Sequence, residues 1–397
     1  MKRLLQKIGW VLNRIAKTPG NIAAWIANAT TPVVHGRVVC WAYNFKQYSC
    51  NPRYLTEYLL KHHPEFEIYW VLRKGFDTSE LPEGVKAVRF RTWEYLRLMA
   101  SAEFLLTNIR TDPWRIYWHK REGQKYAMLW HAGVALKRIE ADAADKLSFS
   151  YTQRAKADSK VCDLMISGCA MQTKLQRERY WYNGEILERG IPRNDIFFDT
   201  ARHKELRERI AKQYGIDPKS RIVLYAPTFR VDYSTKPYAI NWSRVTPAIS
   251  RMFGGESVAV LVRMHPLLIG KVETSHLVAY EGVCDATRYH DMQELLAVAD
   301  MLITDYSSSM FDFAMQGRLC LLYATDANAY DRGFYFNLDE LPFPLSESEE
   351  QLLDTIANFD NEAYTARLNT FFTERIGLKE NGHASQALAK WMIAHRL

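Results

Sequence analysis

No stretch of this 397-residue sequence reaches the roughly 18 consecutive apolar residues of a membrane-crossing helix, so the chain is not expected to span a membrane, though it can touch one. Cysteine is scarce and scattered: Cys40, Cys50, Cys162, Cys169, Cys284 and Cys320 form no C-x-x-C pair. That spacing argues against a zinc site or a disulfide framework, and leaves reduced thiols packed as small hydrophobes. The patterns D-x-D, H-E-x-x-H, G-x-G-x-x-G and G-x-x-x-x-G-K-[ST] are missing, so dedicated metal, dinucleotide and P-loop sites are unsupported. Acidic residues are also missing at the start. None precedes Glu57, whereas Lys2, Arg3, Lys7, Arg14, Lys17, Arg37, Lys46 and Arg53 do. With a net charge of +7, this asymmetry suggests an anionic partner: lipid headgroups, a phosphate-rich polymer or nucleic acid.

What is present is ordinary globular material, 48% hydrophobic and 24% charged, long enough for two domains. Residues 1–17 read as an amphipathic helix, with Leu4, Leu5, Ile8, Val11, Leu12 and Ile15 on one face and Lys7, Arg14 and Lys17 elsewhere. Pro19-Gly20 is expected to end it. Lys7 and Arg14 interrupt the apolar run that a secretory signal requires. An interfacial anchor and a helix packed on the protein body both fit the pattern.

From Val33 onward, strands alternate with helices. Strands are expected at 37–43, 67–72, 85–90, 103–108 and 126–130, with helices at 52–62 and 93–100. The stretch 140–160 has little apolar periodicity and reads as a mobile loop. A charged helix at 199–214 then opens a second series, with strands at 221–225, 257–262, 300–304 and 319–323 and helices at 242–252, 292–299 and 309–316. Helices at 348–359 and 384–395 close the chain. Alternation of this kind predicts two parallel, doubly wound α/β sheets facing a ligand cleft. The expected division is 1–32 as the amphipathic segment, 33–198 and 199–380 as Rossmann-like domains, and 381–397 as a closing helix.

Polar residues gather where strands end. Thr304-Asp305-Tyr306-Ser307-Ser308-Ser309 joins a strand to a helix, and such a turn presents backbone N–H groups and hydroxyls to a diphosphate. Asp312, one turn on, suits a ribose hydroxyl. An ordinary N-cap at Ser309 explains the same residues. Arg263 and His265, at i and i+2 before Pro266, and Thr228 with Arg230 end two further strands. Arg suits bidentate phosphate contact, and His donates or carries a proton; each segment also fits a surface loop. His131, at the end of YAMLW, is a candidate general base or a packed structural histidine. Lys137 and Arg138 follow it, and Arg193 adds a guanidinium in the turn between the domains.

Taken together the segments KQYSCNPRYL (46–55), LWHAGVALKRI (129–139), RGIPRND (189–195), LYAPTFR (224–230), VRMHP (262–266), ITDYSSSMFDF (303–313) and DRGFYF (331–336) resemble the CDP-glycerol:poly(glycerophosphate) glycerophosphotransferase family. They occur in the family's order across nearly all of residues 37–340. Glu140 departs from the pattern, standing where a glycine commonly ends the WHAG-type motif. The resemblance implies a GT-B fold with the acceptor on the first domain and the CDP donor on the second. It implies His131 as base and His265 as a second catalytic group. Arg193, Asn194, Thr228, Arg230, Arg263, Asp305, Ser307, Ser308, Ser309 and Asp312 would meet the donor, and Lys46, Tyr48, Asn51, Lys137 and Arg138 the acceptor. The implied reaction moves glycerol phosphate or ribitol phosphate from CDP-glycerol or CDP-ribitol to a hydroxyl of a polyol-phosphate acceptor, a teichoic-acid-like or capsule polymer or a lipid-linked one, releasing CMP. No cofactor, metal or nucleic acid is expected; a peripheral place on the inner face of a bacterial plasma membrane is. The rival expectations are a GT-B transferase using a nucleotide sugar, and a non-catalytic anion- or nucleic-acid-binding protein.

Overall fold

Short β-branched and aliphatic runs, buried on both faces along the central strands, build two parallel sheets in the computed structural model, which describes residues 2–230, 232–326 and 333–397. The first sheet has seven strands: β1 Arg37–Trp41, β2 Glu67–Leu72, β3 Lys86–Arg89, β4 Phe104–Thr107, β5 Lys125–Met128, β6 Leu164–Ser167 and β7 Glu185–Glu188. The second has six: β8 Arg221–Tyr225, β9 Val258–Val262, β10 Val283–Asp285, β11 Met301–Thr304, β12 Leu319–Tyr323 and β13 Leu345–Ser346. The orders are β3-β2-β1-β4-β5-β6-β7 and β10-β9-β8-β11-β12-β13, with every pairing parallel. Each sheet therefore reverses direction once, beside β1/β4 and beside β8/β11. Doubly wound sheets bind ligands at the carboxyl ends next to such a reversal.

Helices α1 Lys2–Ala16, α2 Thr18–Thr30, α3 Cys50–His62, α4 Trp93–Ser101, α5 Phe149–Val161 and α6 Ala170–Arg179 accompany the first sheet. Then come α7 Thr200–Tyr214, α8 Trp242–Met252, α9 Met292–Val298, α10 Ser309–Ala314, α11 Glu349–Ala357, α12 Asn361–Thr370 and α13 Ala384–Ala394. Contacts divide the chain into two units, residues 1–133, 139–195 and 378–397, and residues 134–138 and 196–377. The expected boundary at 198/199 lies close to this division, but the terminal helix is no separate element. Leu388, Ala389, Trp391 and Met392 of α13 join Leu55, Leu59, Trp70 and Phe104 in the core of the first unit.

Two local expectations are corrected. Pro19-Gly20 does not stop helix formation; α1 gives way at Lys17 to α2, with Pro19 in its first turn, where the missing N–H costs nothing. The stretch 140–160 is no loop, because residues 149–161 form α5. Its inward face carries Ala155, Asp158 and Ser159, so hydropathy periodicity is weak. Asp158 accepts from Arg110 Nη1 at 2.9 Å, the Thr111 N–H at 3.0 Å and the Tyr126 hydroxyl at 2.6 Å. Buried polar groups need such partners, and here they replace an apolar stripe. Glu140 sits at φ +53°, a conformation that favours glycine, with its carboxylate buried against Arg110 at 3.3 Å and the Tyr151 hydroxyl at 2.6 Å.

Candidate functional site

In the first unit the carboxyl edge of the sheet presents His131. Strand β5 ends at Met128, and Trp130 turns the chain at φ +51°, so the strand stops two residues before the expected limit. The imidazole Nδ1 lies 3.0 Å from the Asn108 carbonyl beyond β4. A carbonyl only accepts, so Nδ1 carries the proton and Nε2 is left as the basic nitrogen. Burial pushes the His131 pKa down to about 4; the Asn108 carbonyl opposes that shift and the Arg193 charge adds to it. The ring is neutral at physiological pH.

Asn51 holds this edge together. Its Nδ2 donates to the carbonyls of Leu129 (2.8 Å) and Trp130 (3.0 Å), and its Oδ1 accepts from the Arg193 N–H at 3.0 Å. The side chain is fully buried, so Asn51 positions the His131 turn instead of meeting an acceptor. Tyr48 is likewise buried, edge-on to Trp70, while Lys46 is exposed on the loop after β1. Asn194 is buried, and its Nδ2 donates to Glu380 at 3.1 Å. The Glu380 carboxylate also accepts from the Ile191 N–H at 3.1 Å, and a Cβ on Gly190 would stand 2.6 Å from it. Arg193 and Asn194 thus belong to the unit of His131, not to that of the other expected donor residues. Neither Asn51 nor Glu380 is legible as a clamp from sequence, because their partners lie far along the chain.

In the second unit the expected strand ends do converge. Across the reversal between β8 and β11, Asp305 accepts from the Thr228 N–H at 2.9 Å and pairs with Arg230 at 2.8 Å. Arg230 also makes a two-pronged contact with Asp326, at 2.6 and 2.8 Å, and donates to Thr228. With two carboxylates around it, Arg230 is a structural bridge, which corrects its expected place as a diphosphate contact. Asp305 is buried in the same bridge. Asp312 is buried too, accepting from Gln293 Nε2 at 3.3 Å, and so faces α9 instead of a ribose. Helix α10 spans only six residues, too short to present a strong dipole. What remains open is the loop before it: the Ser307 and Ser308 N–H groups have no hydrogen bond among the described residues, and the Ser307 and Ser309 hydroxyls pair at 2.7 Å.

Beyond β9, His265 is exposed, its ring 5.7 Å from that of Phe229, and it carries the opposite tautomer from His131. Its Nδ1 accepts the Leu267 N–H at 3.2 Å, so Nε2 holds the proton and is a donor. Protein packed around the ring nitrogens pushes its pKa down although the residue's edge is open to solvent, and Arg263 and Lys137 push in the same direction. Arg263 Nη2 donates to the Tyr289 carbonyl at 3.2 Å. Lys137 and Arg138, expected on the acceptor side, belong instead to this unit. The chain crosses to it after Gly133, and Lys137 pairs with Phe334 while the Arg138 N–H donates to Gly333 at 3.0 Å. Asp331 and Arg332 of the DRGFYF segment lie outside the described residues. Among the described residues no group of three or more His, Cys, Asp or Glu is placed to hold a metal ion, and the six cysteines are free.

This chain is 30% identical to the teichoic acid poly(glycerol phosphate) polymerase of Bacillus subtilis over 97% of its own length and 52% of that protein. It therefore spans about half the length of that relative. A teichoic acid glycerol-phosphate transferase of Staphylococcus aureus is 30% identical over 88% of this chain and 90% of its own. The solved wall teichoic acid polymerase TagF superposes with a TM-score of 0.80 at 26% identity, covering 99% of this chain and 98% of that one. A further structure of that polymerase, soaked with CDPG, scores 0.79. The family model of CDP-Glycerol:Poly(glycerophosphate) glycerophosphotransferase matches residues 24–393, and the chain belongs to that family.

Proposed function

We propose that this chain transfers a polyol phosphate, glycerol phosphate or ribitol phosphate, from its CDP-activated form to a hydroxyl of a teichoic-acid-like or lipid-linked polymer. The single observation that carries the chemistry is the His131 tautomer, with Nδ1 fixed by the Asn108 carbonyl and Nε2 basic. In this reading the acceptor hydroxyl gives its proton to Nε2 as its oxygen attacks the phosphorus bearing the polyol. The bond from that phosphorus to the CMP oxygen breaks, and CMP leaves. Positioning and charge stabilisation dominate such transfers. The His265 Nε2–H, Arg263 and the N–H groups of Ser307 and Ser308 are assigned to the diphosphate. The two units take the GT-B roles, donor on the second and acceptor on the first.

We assign the protein a peripheral place on the cytoplasmic face of the plasma membrane. In support, Leu4, Leu5, Ile8, Val11, Leu12 and Ile15 are between 48% and 63% exposed, and Ile22, Trp25 and Ile26 of α2 are about half exposed. Helix α1 meets the protein body through its other face, where Gln6 Oε1 accepts the Phe149 N–H and the Arg14 carbonyl accepts from Trp114. Among the described residues no helix is long and apolar enough to cross a membrane. The deciding experiment incubates purified protein and a polyol-phosphate primer with CDP-glycerol, CDP-ribitol or a UDP-sugar. CMP release from one of the CDP-polyols is expected; turnover of the UDP-sugar with inert CDP-polyols overturns the reading.

A further inference from the structure

We propose that a cavity of about 170 Å³ between α1, the loop 112–115 and the start of α5 seats the phosphodiester of a phospholipid headgroup. The proposal rests on the membrane attachment argued above and names the lipid group that α1 would grip. Its walls include Trp10, Arg14, Trp114, Arg115, Ser148 and Ser150. Arg14 lies between two indoles, 4.7 Å from the Trp10 ring and 5.0 Å from the Trp114 ring. One acid lines the cavity, Asp112. It accepts the Trp114 N–H at 3.1 Å and stands 3.9 Å from Arg14, so its charge is engaged. Arg115 is exposed and makes no ion pair among the described residues. Lys17 and Arg91 add their charge to the same neighbourhood. Partial burial holds the Lys17 ammonium below its usual pKa, with Arg91 and Arg115 adding to the shift and Asp112 opposing it.

The placement suits a bilayer. Gln6, Gly9, Trp10, Asn13 and Arg14 face the cavity, on the side of α1 opposite the exposed Leu5, Ile8, Leu12 and Ile15. An interfacial helix sinks its apolar face roughly 5–10 Å into the headgroup boundary. With a helix diameter of about 10 Å, the opposite face then stands level with the lipid phosphates. A phosphodiester keeps one negative charge at every physiological pH and offers two oxygens to a guanidinium. Indoles favour this depth, and the cavity holds several water-sized groups, enough for a phosphate.

The test is calorimetric titration with dihexanoyl phosphatidylglycerol kept below its micelle concentration, run beside vesicle sedimentation. Wild-type protein should bind the short lipid, and Arg115→Gln should weaken that binding about tenfold, the loss of one charge-assisted contact. Inorganic phosphate and poly(glycerol phosphate) should bind at least about tenfold more weakly than the lipid. A paired Leu5→Ser, Leu12→Ser variant should release the protein from phosphatidylglycerol vesicles while leaving short-lipid titration unchanged. If vesicles do not bind but the short lipid does, the attachment reading fails and the headgroup seat stands. If Arg115→Gln, folded by circular dichroism, titrates like wild type, or poly(glycerol phosphate) outcompetes the lipid, the headgroup seat is overturned.

Discussion

Two histidines in this chain are held in opposite tautomers by one hydrogen bond each. The carbonyl of Asn108 accepts from His131 and so keeps the ring proton on Nδ1, whereas the N–H of Leu267 donates to His265 and so keeps the proton off its Nδ1. Replacing His131 with Ala should lower CMP release by roughly 100-fold or more while CDP affinity holds, the scale of general-base loss. Near-normal turnover in the folded variant would remove the base assignment. The pH dependence follows from the direction of its shift. With a folded pKa of about 4 against an ordinary 6.5, the unfolded chain binds the extra proton first as pH falls. Stability from this group is therefore complete above about pH 6.5, is lost between there and about pH 4, and then levels off. Arg193→Gln removes a charge that depresses the pKa, so the acid limb of the rate profile should move upward; an unmoved limb would show that Arg193 does not act on the ring. In the second unit, Arg263→Ala should weaken CDP binding and rate together, since the contact serves ground and transition states alike. Arg230→Met should act on folding instead. It leaves Asp305 buried without its cation, which costs about 3–5 kcal/mol in urea unfolding.

At the level of elements, sequence reading succeeded wherever strand and helix alternate with clear hydropathy. Glu67–Leu72, Arg221–Tyr225, Leu319–Tyr323 and Trp242–Met252 have the expected limits. Because their order places polar strand ends at one edge, the loops holding Thr228, Arg263, His265 and Ser307 were legible as a group. What escaped were elements whose stability is not written in periodicity. Strands β6, β7, β10 and β13 are four residues or shorter. Helix α6 buries two glutamines beside a single leucine, and α5 is held through Asp158 and Arg110. The neutralisation of Arg230 was equally hidden, since Asp326 lies 96 residues away. Helix α1 carries its own prediction. Raising salt should detach the unaltered chain from phosphatidylglycerol vesicles, because lipid attraction by basic residues is worth roughly 1 kcal/mol each and is screened. The paired serine variant should stay soluble at any salt yet keep CMP release on a short soluble acceptor. Loss of that soluble activity would mean that α1 supports the fold.

For the whole molecule, the return of residues 378–397 to the first unit matters most. Leu388, Trp391 and Met392 are buried there, each worth roughly 1.5–3 kcal/mol by area removed from water. Trp391 Nε1 donates to Glu185 at 2.9 Å, and Asp195 accepts the N–H groups of Ala384 and Ser385 at 2.8 Å each. Residues 1–195 expressed alone should therefore bind a hydrophobic dye and exchange amide protons along α3, and a synthetic peptide of 378–397 should protect them; full protection without the peptide would contradict this. A ribosome meets the same arrangement in time. The first sheet has to wait for residues 378–397, made about 10–40 s after residue 195 at roughly 5–20 residues per second. During that interval the exposed flank beside α3 is a natural landing place for a chaperone, and a stop before residue 378 would strand it there.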